Sequence, residues 1–216
     1  WGDGNSEDHW FPASHTYGNY GDYTIAVTAY QSDGLSTTKT KDISLIPPDV
    51  LLAQRYFPVY KFSAGEQWYP CSFYFDGNGQ SWPSDLYNKE NYDSYTPFPP
   101  PYYAYVHIVE NATHKTIQYW LYYVWNYHFV WGTHYSDWDS TIFVILEKTA
   151  GALNPVEIYY FYHWFKPHLS WDEWPEFESV THPVVYVAKG SHGAYPTQTM
   201  KWWDEWLPGG TTLRLE

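Results

Sequence analysis

The sequence predicts an all-β chain in two parts: an incomplete Ig-like sandwich followed by a larger β-sandwich domain with long loops. Three observations carry this. Short runs of alternating or continuous apolar residues recur along all 216 residues, punctuated by Gly, Pro, Asn and Asp. Aromatics reach 23% while charged residues are only 16%, a composition that suits half-buried strands and excludes disorder. Pro47-Pro48 interrupts the pattern near one quarter of the length and divides 1–46 from 51–216, with 47–50 as linker.

In the first part, Trp1-Gly2-Asp3-Gly4 opens with turn chemistry. Tyr23, Ile25, Val27 and Ala29 alternate along one strand, Ser32-Asp33-Gly34 is a turn, and 38–46 is a second strand. Asp3, Asp8 and Asp22 lie in loops, where Asp most often bonds its own backbone. In the second part, strands are predicted at 54–62, 68–75, 102–109, 116–127, 138–147, 156–164 and 183–189. The polar, Pro-rich stretch 76–101 reads as a long surface loop, and 198–207 as a short helix.

The net charge of -13 repels nucleic acid and is compatible with divalent cations. One cysteine, Cys71, leaves no disulfide framework within the chain and reads as a small buried hydrophobe. The longest apolar run, 117–131, contains Gln118, Asn126 and His128 and is too short and polar to span a membrane. With no initial Met or signal segment, the chain reads as processed or partial. Asn111-Ala112-Thr113 is an N-glycosylation sequon at a turn, which points toward secretion.

Several residues are candidates for function. Asp137 and Asp139, two apart on a strand, share one face, with Trp138 directed the other way into the core. Two such carboxylates repel unless a cation or proton lies between them. With His134 they form a candidate divalent-cation set, Ca²⁺ or Mg²⁺ by their oxygens; His163 is a further candidate, and His192 joins the set by what the family resemblance below implies. A hydrogen-bonded polar cluster without metal is the other reading. Glycoside hydrolysis by the pair is disfavoured, because same-strand acids do not flank a bond from opposite sides. Ser191-His192 does not read as nucleophile and base, since neighbours on an extended chain point apart. Trp171, Trp174, Trp202, Trp203 and Trp206, interleaved with acids, read either as an exposed contact surface for sugar or protein, or as rim packing.

The first part resembles the PKD (polycystic kidney disease) family in Trp1-Gly2-Asp3-Gly4, His15-Thr16-Tyr17, Gly21-Asp22-Tyr23-Thr24-Ile25, Asp33-Gly34 and 38–43. The family's first strands are missing. The resemblance implies an extracellular or cell-surface spacer. The half sandwich can be completed by strands outside this sequence, by the second part, or by another copy donating a strand, which leads to filaments if the contacts do not close. Leu52-Ala53-Gln54-Arg55-Tyr56-Phe57-Pro58, Glu66-Gln67-Trp68-Tyr69-Pro70, Ser136-Asp137-Trp138-Asp139 and His182 through Tyr195 resemble vacuolar-protein-sorting-type domains. They are also similar to the necrosis-inducing (NLP) cytolysins, whose His-Asp-Trp-Glu heptad holds a divalent cation on a β-sandwich. Here Ser136 and Asp139 replace the His and the final Glu. Two functions are expected from these resemblances: a cation-binding structural protein that self-assembles, or a cation-dependent cytolysin or glycan-binding module on a spacer. An enzyme is the third reading, behind these two.

Overall fold

The computed structural model describes residues 1–10, 12–77, 88–128, 132–162, 165–200 and 204–214. Two compact units divide the chain, Trp1–Leu52 and Ala53–Glu216.

The first unit is one antiparallel hairpin, β1 (Gly21–Tyr30) on β2 (Ser36–Leu45), in register from Gly21 opposite Leu45 to Tyr30 opposite Ser36. Gln31, Asp33 and Gly34 close its turn: Gly34 N donates to Gln31 O (3.1 Å) and Leu35 N to Asp33 Oδ1 (3.1 Å). The leading segment packs along β1 through rings, with His15 stacked on Trp1 (4.9 Å) and Tyr17 against Tyr23 (4.3 Å). Asp3 bonds locally, accepting from Asn5 N and contacting His15 at 2.7 Å, whereas Asp22 lies in β1 rather than a loop and accepts from Ser44 Oγ across the hairpin.

The two prolines begin a helix rather than only a linker. Helix α1 (Pro48–Arg55) starts with Pro48 in its first position and Asp49 in its first turn, followed by good helix formers. The strand predicted at 54–62 is thereby shortened to β3 (Val59–Phe62). The strand predicted at 68–75 also does not form. That segment, interrupted by Pro70, keeps a single bridge between Cys71 and Tyr102 and lies across the middle of a longer strand, with Cys71 N bonded to Tyr122 O (3.1 Å). Helix α2 (Asn88–Asp93), braced by Lys89 and Asp93 (2.6 Å), lies inside the stretch expected to be loop.

Five strands make the larger sheet, in the order β4 (Tyr105–Glu110), β5 (His114–His128), β6 (Gly132–Thr149), β7 (Ala152–Tyr160) and β8 (His168–Ser170), all antiparallel. A one-turn 3₁₀ helix (Trp171–Glu173) leads to the second sheet. There β9 (Phe177–Ser179) and β11 (Ala194–Tyr195) pair with β10 (His182–Val187), which runs parallel to β3, and β12 (Thr212–Leu213) closes the far side. The architecture is all-β. Among the described residues of 198–207 no helix forms.

The core lies between the two sheets. Alternate residues Ile117, Tyr119, Leu121 and Tyr123 of β5, with Ile142, Val144 and Leu146 of β6, are fully buried. They meet Tyr60 and Phe62 of β3 and Val184–Val187 of β10, linked by edge-on rings such as Phe57 on Tyr119 (5.5 Å). On the outer side of β5, Tyr122 and Val124 form a second core with Cys71 and Tyr92. Burial pushes the Cys71 thiol pKa up, so it is a packed, unreactive group.

Candidate functional site: a cleft over a buried carboxylate–imidazole pair

The site begins with the turn after β10. Gly190 has φ +70 and lies so close to the neighbouring chain that a Cβ would sit 2.3 Å from Tyr127 O. Only glycine fits. Its N–H donates to Glu66 Oε2 (2.8 Å) and its carbonyl accepts from Tyr127 N (2.8 Å). His192, two residues on, is a non-glycine residue at φ 57, a conformation held only where surroundings over-determine it. Its ring is fully buried and stacked on Tyr123 at 3.8 Å with an interplanar angle of 2°.

The imidazole lies between two carboxylates. Asp137 Oδ2 is 3.4 Å from Nδ1, and Glu66 Oε1 is 3.6 Å from Nε2. Glu66 is itself buried and accepts three backbone donors: Gln67 N (2.8 Å) and Trp68 N (2.9 Å) on Oε1, and Gly190 N on Oε2. Burial pushes the Glu66 carboxyl up, but the charge of His192 and these hydrogen bonds outweigh it and hold it below its ordinary value. Burial likewise lowers His192, yet Glu66 and Asp137 reverse this and raise it to about 9. The pair is therefore an ion pair at neutral pH.

This gives a stability prediction. A histidine raised in the fold contributes stability that is complete below its unfolded value, 6.5, and is lost as pH rises through about 9. Melting temperature is expected to fall across that window, and to fall less in His192→Gln. Equal slopes in both proteins contradict the assignment.

Ser191 and His192 have separate partners, although the turn that carries them is not the extended chain expected from sequence. Ser191 Oγ donates to Asp204, whose buried carboxylate also accepts from Tyr195 Oη and lies 3.4 Å from His128 Nε2. Ser191 therefore has an acid for a partner and does not face the imidazole as a nucleophile.

The predicted metal residues are only partly brought together. Asp137 and Asp139 share the side of β6 that faces the second sheet. Trp138 takes the outer side, against Phe73, Tyr105 and Tyr122, and is 43% exposed rather than in the core. Asp139 is buried and accepts from Ser140 N (2.8 Å) at a bulge, where Ser140 has φ 52 and one extra β6 residue opposes Trp120. His134 is exposed and accepts from Asn126 Nδ2 (3.1 Å). His163 lies outside the described residues. Glu66, which was not in the predicted set, is occupied by three N–H donors, and His134 faces an amide. Among the described residues no three His, Cys, Asp or Glu side chains are grouped to hold a metal ion.

Of the tryptophans read either as a contact surface or as rim packing, the three described ones are packed. Trp171 and Trp174 are buried, Trp171 beside Tyr56 and Phe177, Trp174 donating to Val184 O (2.9 Å). Trp206 is half-buried over Tyr186. Trp202 and Trp203 lie outside the described residues. Asn111 is exposed at the β4–β5 turn, its Oδ1 accepting from Thr113 N and His114 N.

Above the Glu66 loop opens a cleft of about 490 Å³, lined by Trp68, Tyr127, Gln67, Lys189 and Glu205, with His128 beside it. Tyr127 is 63% exposed. Trp68 is held by Nε1 donating to Asp93 (3.2 Å) and by Lys89 over its ring (5.3 Å). Glu66 and Asp204 were not singled out from sequence as site residues. The available signal was the placing of Glu66 just after Gly65 in an otherwise apolar, aromatic segment.

No family profile matches the chain, and no curated protein matches it. Two solved structures do: "NLPPya in complex with glucosamine", with TM-score 0.47 and 19% identity over 73% of this chain and 70% of that one, and "NLPPya in complex with mannosamine", with TM-score 0.46 and 17% identity over 73% and 71%.

Proposed function

We propose that the second unit is a carbohydrate-binding β domain that takes a sugar residue in the cleft over Glu66. The observation that carries this is the pairing of two aromatic side chains, Trp68 and the exposed Tyr127, with Gln67, Lys189 and Glu205 around one rigid concave floor. Aromatic faces pack against the apolar side of a sugar while amide, ammonium and carboxylate groups bond its hydroxyls. The buried ion pair keeps that floor fixed, so little is lost to ordering on binding.

A glycan array followed by calorimetry tests this. Tyr127→Ala and Glu205→Ala, both exposed positions, are each expected to weaken binding about tenfold, the size of one lost contact of about 1.4 kcal/mol. Binding is measured with calcium and with chelator, since a cation on Asp137 that touches the sugar makes binding chelator-sensitive. Absence of any glycan ligand contradicts the reading.

A second reading, self-association, rests on β1 and β2. Neither outer edge of the hairpin has a partner strand among the described residues, and Val27, Tyr30 and Leu35 are exposed. Such an edge accepts a strand from another copy. Filaments in negative-stain micrographs support it, and dispersed monomers contradict it.

A further inference from the structure

The turn between β4 and β5 is built on the side chain of Asn111. Residues 111–113 are exposed and His114 is half-buried. Asn111 N donates to His114 O (3.0 Å) and closes the hairpin, and Glu110 opposes Lys115 at its base. Asn111 Oδ1 accepts three hydrogen bonds, from Thr113 N (2.9 Å), Thr113 Oγ1 (3.2 Å) and His114 N (2.8 Å). The side-chain oxygen thus takes the place of a backbone carbonyl in the turn. Lys148 of β6 braces the same turn, its backbone N–H donating to Thr113 O (2.8 Å) and its ammonium to Asn111 O (2.6 Å).

These contacts use the oxygen of the carboxamide and leave its nitrogen. An aspartate supplies the same acceptor, as Asp33 does in the β1–β2 turn, where Leu35 N donates to its Oδ1 (3.1 Å). What asparagine adds is Nδ2, and among the described residues Asn111 Nδ2 has no hydrogen-bond partner. Alone among the chain's asparagines, Asn111 is followed two positions on by a hydroxyl residue. That hydroxyl is engaged with the carboxamide: Thr113 Oγ1 donates to Asn111 Oδ1 and lies 2.8 Å from His114 Nδ1. Three donors on one carboxamide oxygen draw electron density from the nitrogen and make its proton easier to lose.

We propose that Asn111 is an N-glycosylation site, modified on the preformed turn. Asn111 Nδ2 forms a bond to the anomeric carbon of an oligosaccharide carried on a lipid pyrophosphate. The bond from that carbon to the pyrophosphate oxygen breaks, and the lipid pyrophosphate leaves with the electron pair. One Nδ2 proton passes to a base of the transferring enzyme. The contacts that orient the carboxamide all lie within residues 111–114, so the acceptor is in place once β4 and β5 have emerged, before the second sheet exists. The fold loses nothing by the modification, since Oδ1 keeps its three donors after Nδ2 is substituted. His114 and Tyr127 lie near opposite ends of β5, ~43 Å apart at about 3.3 Å per residue, so a sugar on Asn111 does not obstruct the cleft.

Peptide mass spectrometry of the protein isolated from its native source is the test. The peptide carrying Asn111 is expected to be heavier by one oligosaccharide, and peptide:N-glycosidase to remove that mass and convert this one asparagine to aspartate. A native peptide with Asn111 unmodified overturns the proposal. Translation of the whole chain into microsomes behind a cleavable leader tests the residues. Asn111→Asp and Thr113→Ala are expected to abolish the mass gain, and Thr113→Ser, which keeps the hydroxyl, to retain it at reduced yield. Asn111→Asp keeps the acceptor oxygen and is expected to melt with the unmodified parent, so its loss of sugar does not report a lost turn. A mass gain that persists in Asn111→Asp overturns the assignment, and so does a parent chain that gains no mass in microsomes.

Discussion

Glu66→Ala is expected to destabilise the second unit by about 3–5 kcal/mol, the penalty for removing one partner of a buried ion pair. The loss has two sources. Three backbone donors, Gln67 N, Trp68 N and Gly190 N, lose their acceptor. His192 is left fully buried with Asp137 as its remaining carboxylate contact. Chemical denaturation at pH 6 measures this, below the pH at which the imidazole gives up its proton. Glu66→Gln keeps one acceptor oxygen but no charge, and is expected to fall between the two proteins. A change under 1 kcal/mol in Glu66→Ala shows that the loops hold without the carboxylate.

Gly190→Ala has a comparable expected effect by a different route. The left-handed φ alone costs an alanine about 1–2 kcal/mol, and overpacking typically adds 1–3. The obstructing atom is the backbone carbonyl of Tyr127, at 2.3 Å, and not the end of a flexible side chain. Gly151→Ala provides the comparison: φ is +83, with no heavy atom within 4 Å of the added carbon. It is expected to show the conformational cost without the clash. Equal losses in the two variants contradict the close approach. Because Tyr127 also lines the cleft, Gly190→Ala is expected to weaken glycan binding, whereas Gly151→Ala leaves it intact.

The strands of the larger sheet were legible because alternation survives where one face is buried and the other is not. Ile117, Tyr119 and Leu121 alternate with Gln118 and Trp120, and β5 lies within one or two residues of its expected limits. Legibility failed where a segment packs as an irregular layer. Trp68 to Phe75 has strand composition, but its neighbour β5 already has β4 and β6 on its two edges, so the segment lies on the face of the sheet. Helix α1 was hidden by its prolines, which end a strand and also start a helix. At the site, the closeness of Asp137 to His192 was anticipated. Glu66 was not, because its importance comes from backbone N–H groups that no sequence pattern displays. For Trp171 and Trp174 the sequence left contact surface and rim packing both open, because the adjoining Asp172 and Glu173 suggested exposure, while both indoles are buried.

The hydrogen bond from Gly190 to Glu66 joins residues 124 positions apart, and the parallel pairing of β3 with β10 spans a similar length of chain. During synthesis the ribosome delivers Glu66 long before Gly190 and His192. Until β10 and the turn after it emerge, β3 lacks the strands it pairs with and the carboxylate has no imidazole. Every intermediate length thus exposes a strand edge and a lone acid, and loop-closure entropy delays their capture. The cleft is among the last features of the second unit to form, so a stalled or clipped product lacking His192 is expected to lose the proposed sugar binding and to be prone to aggregate.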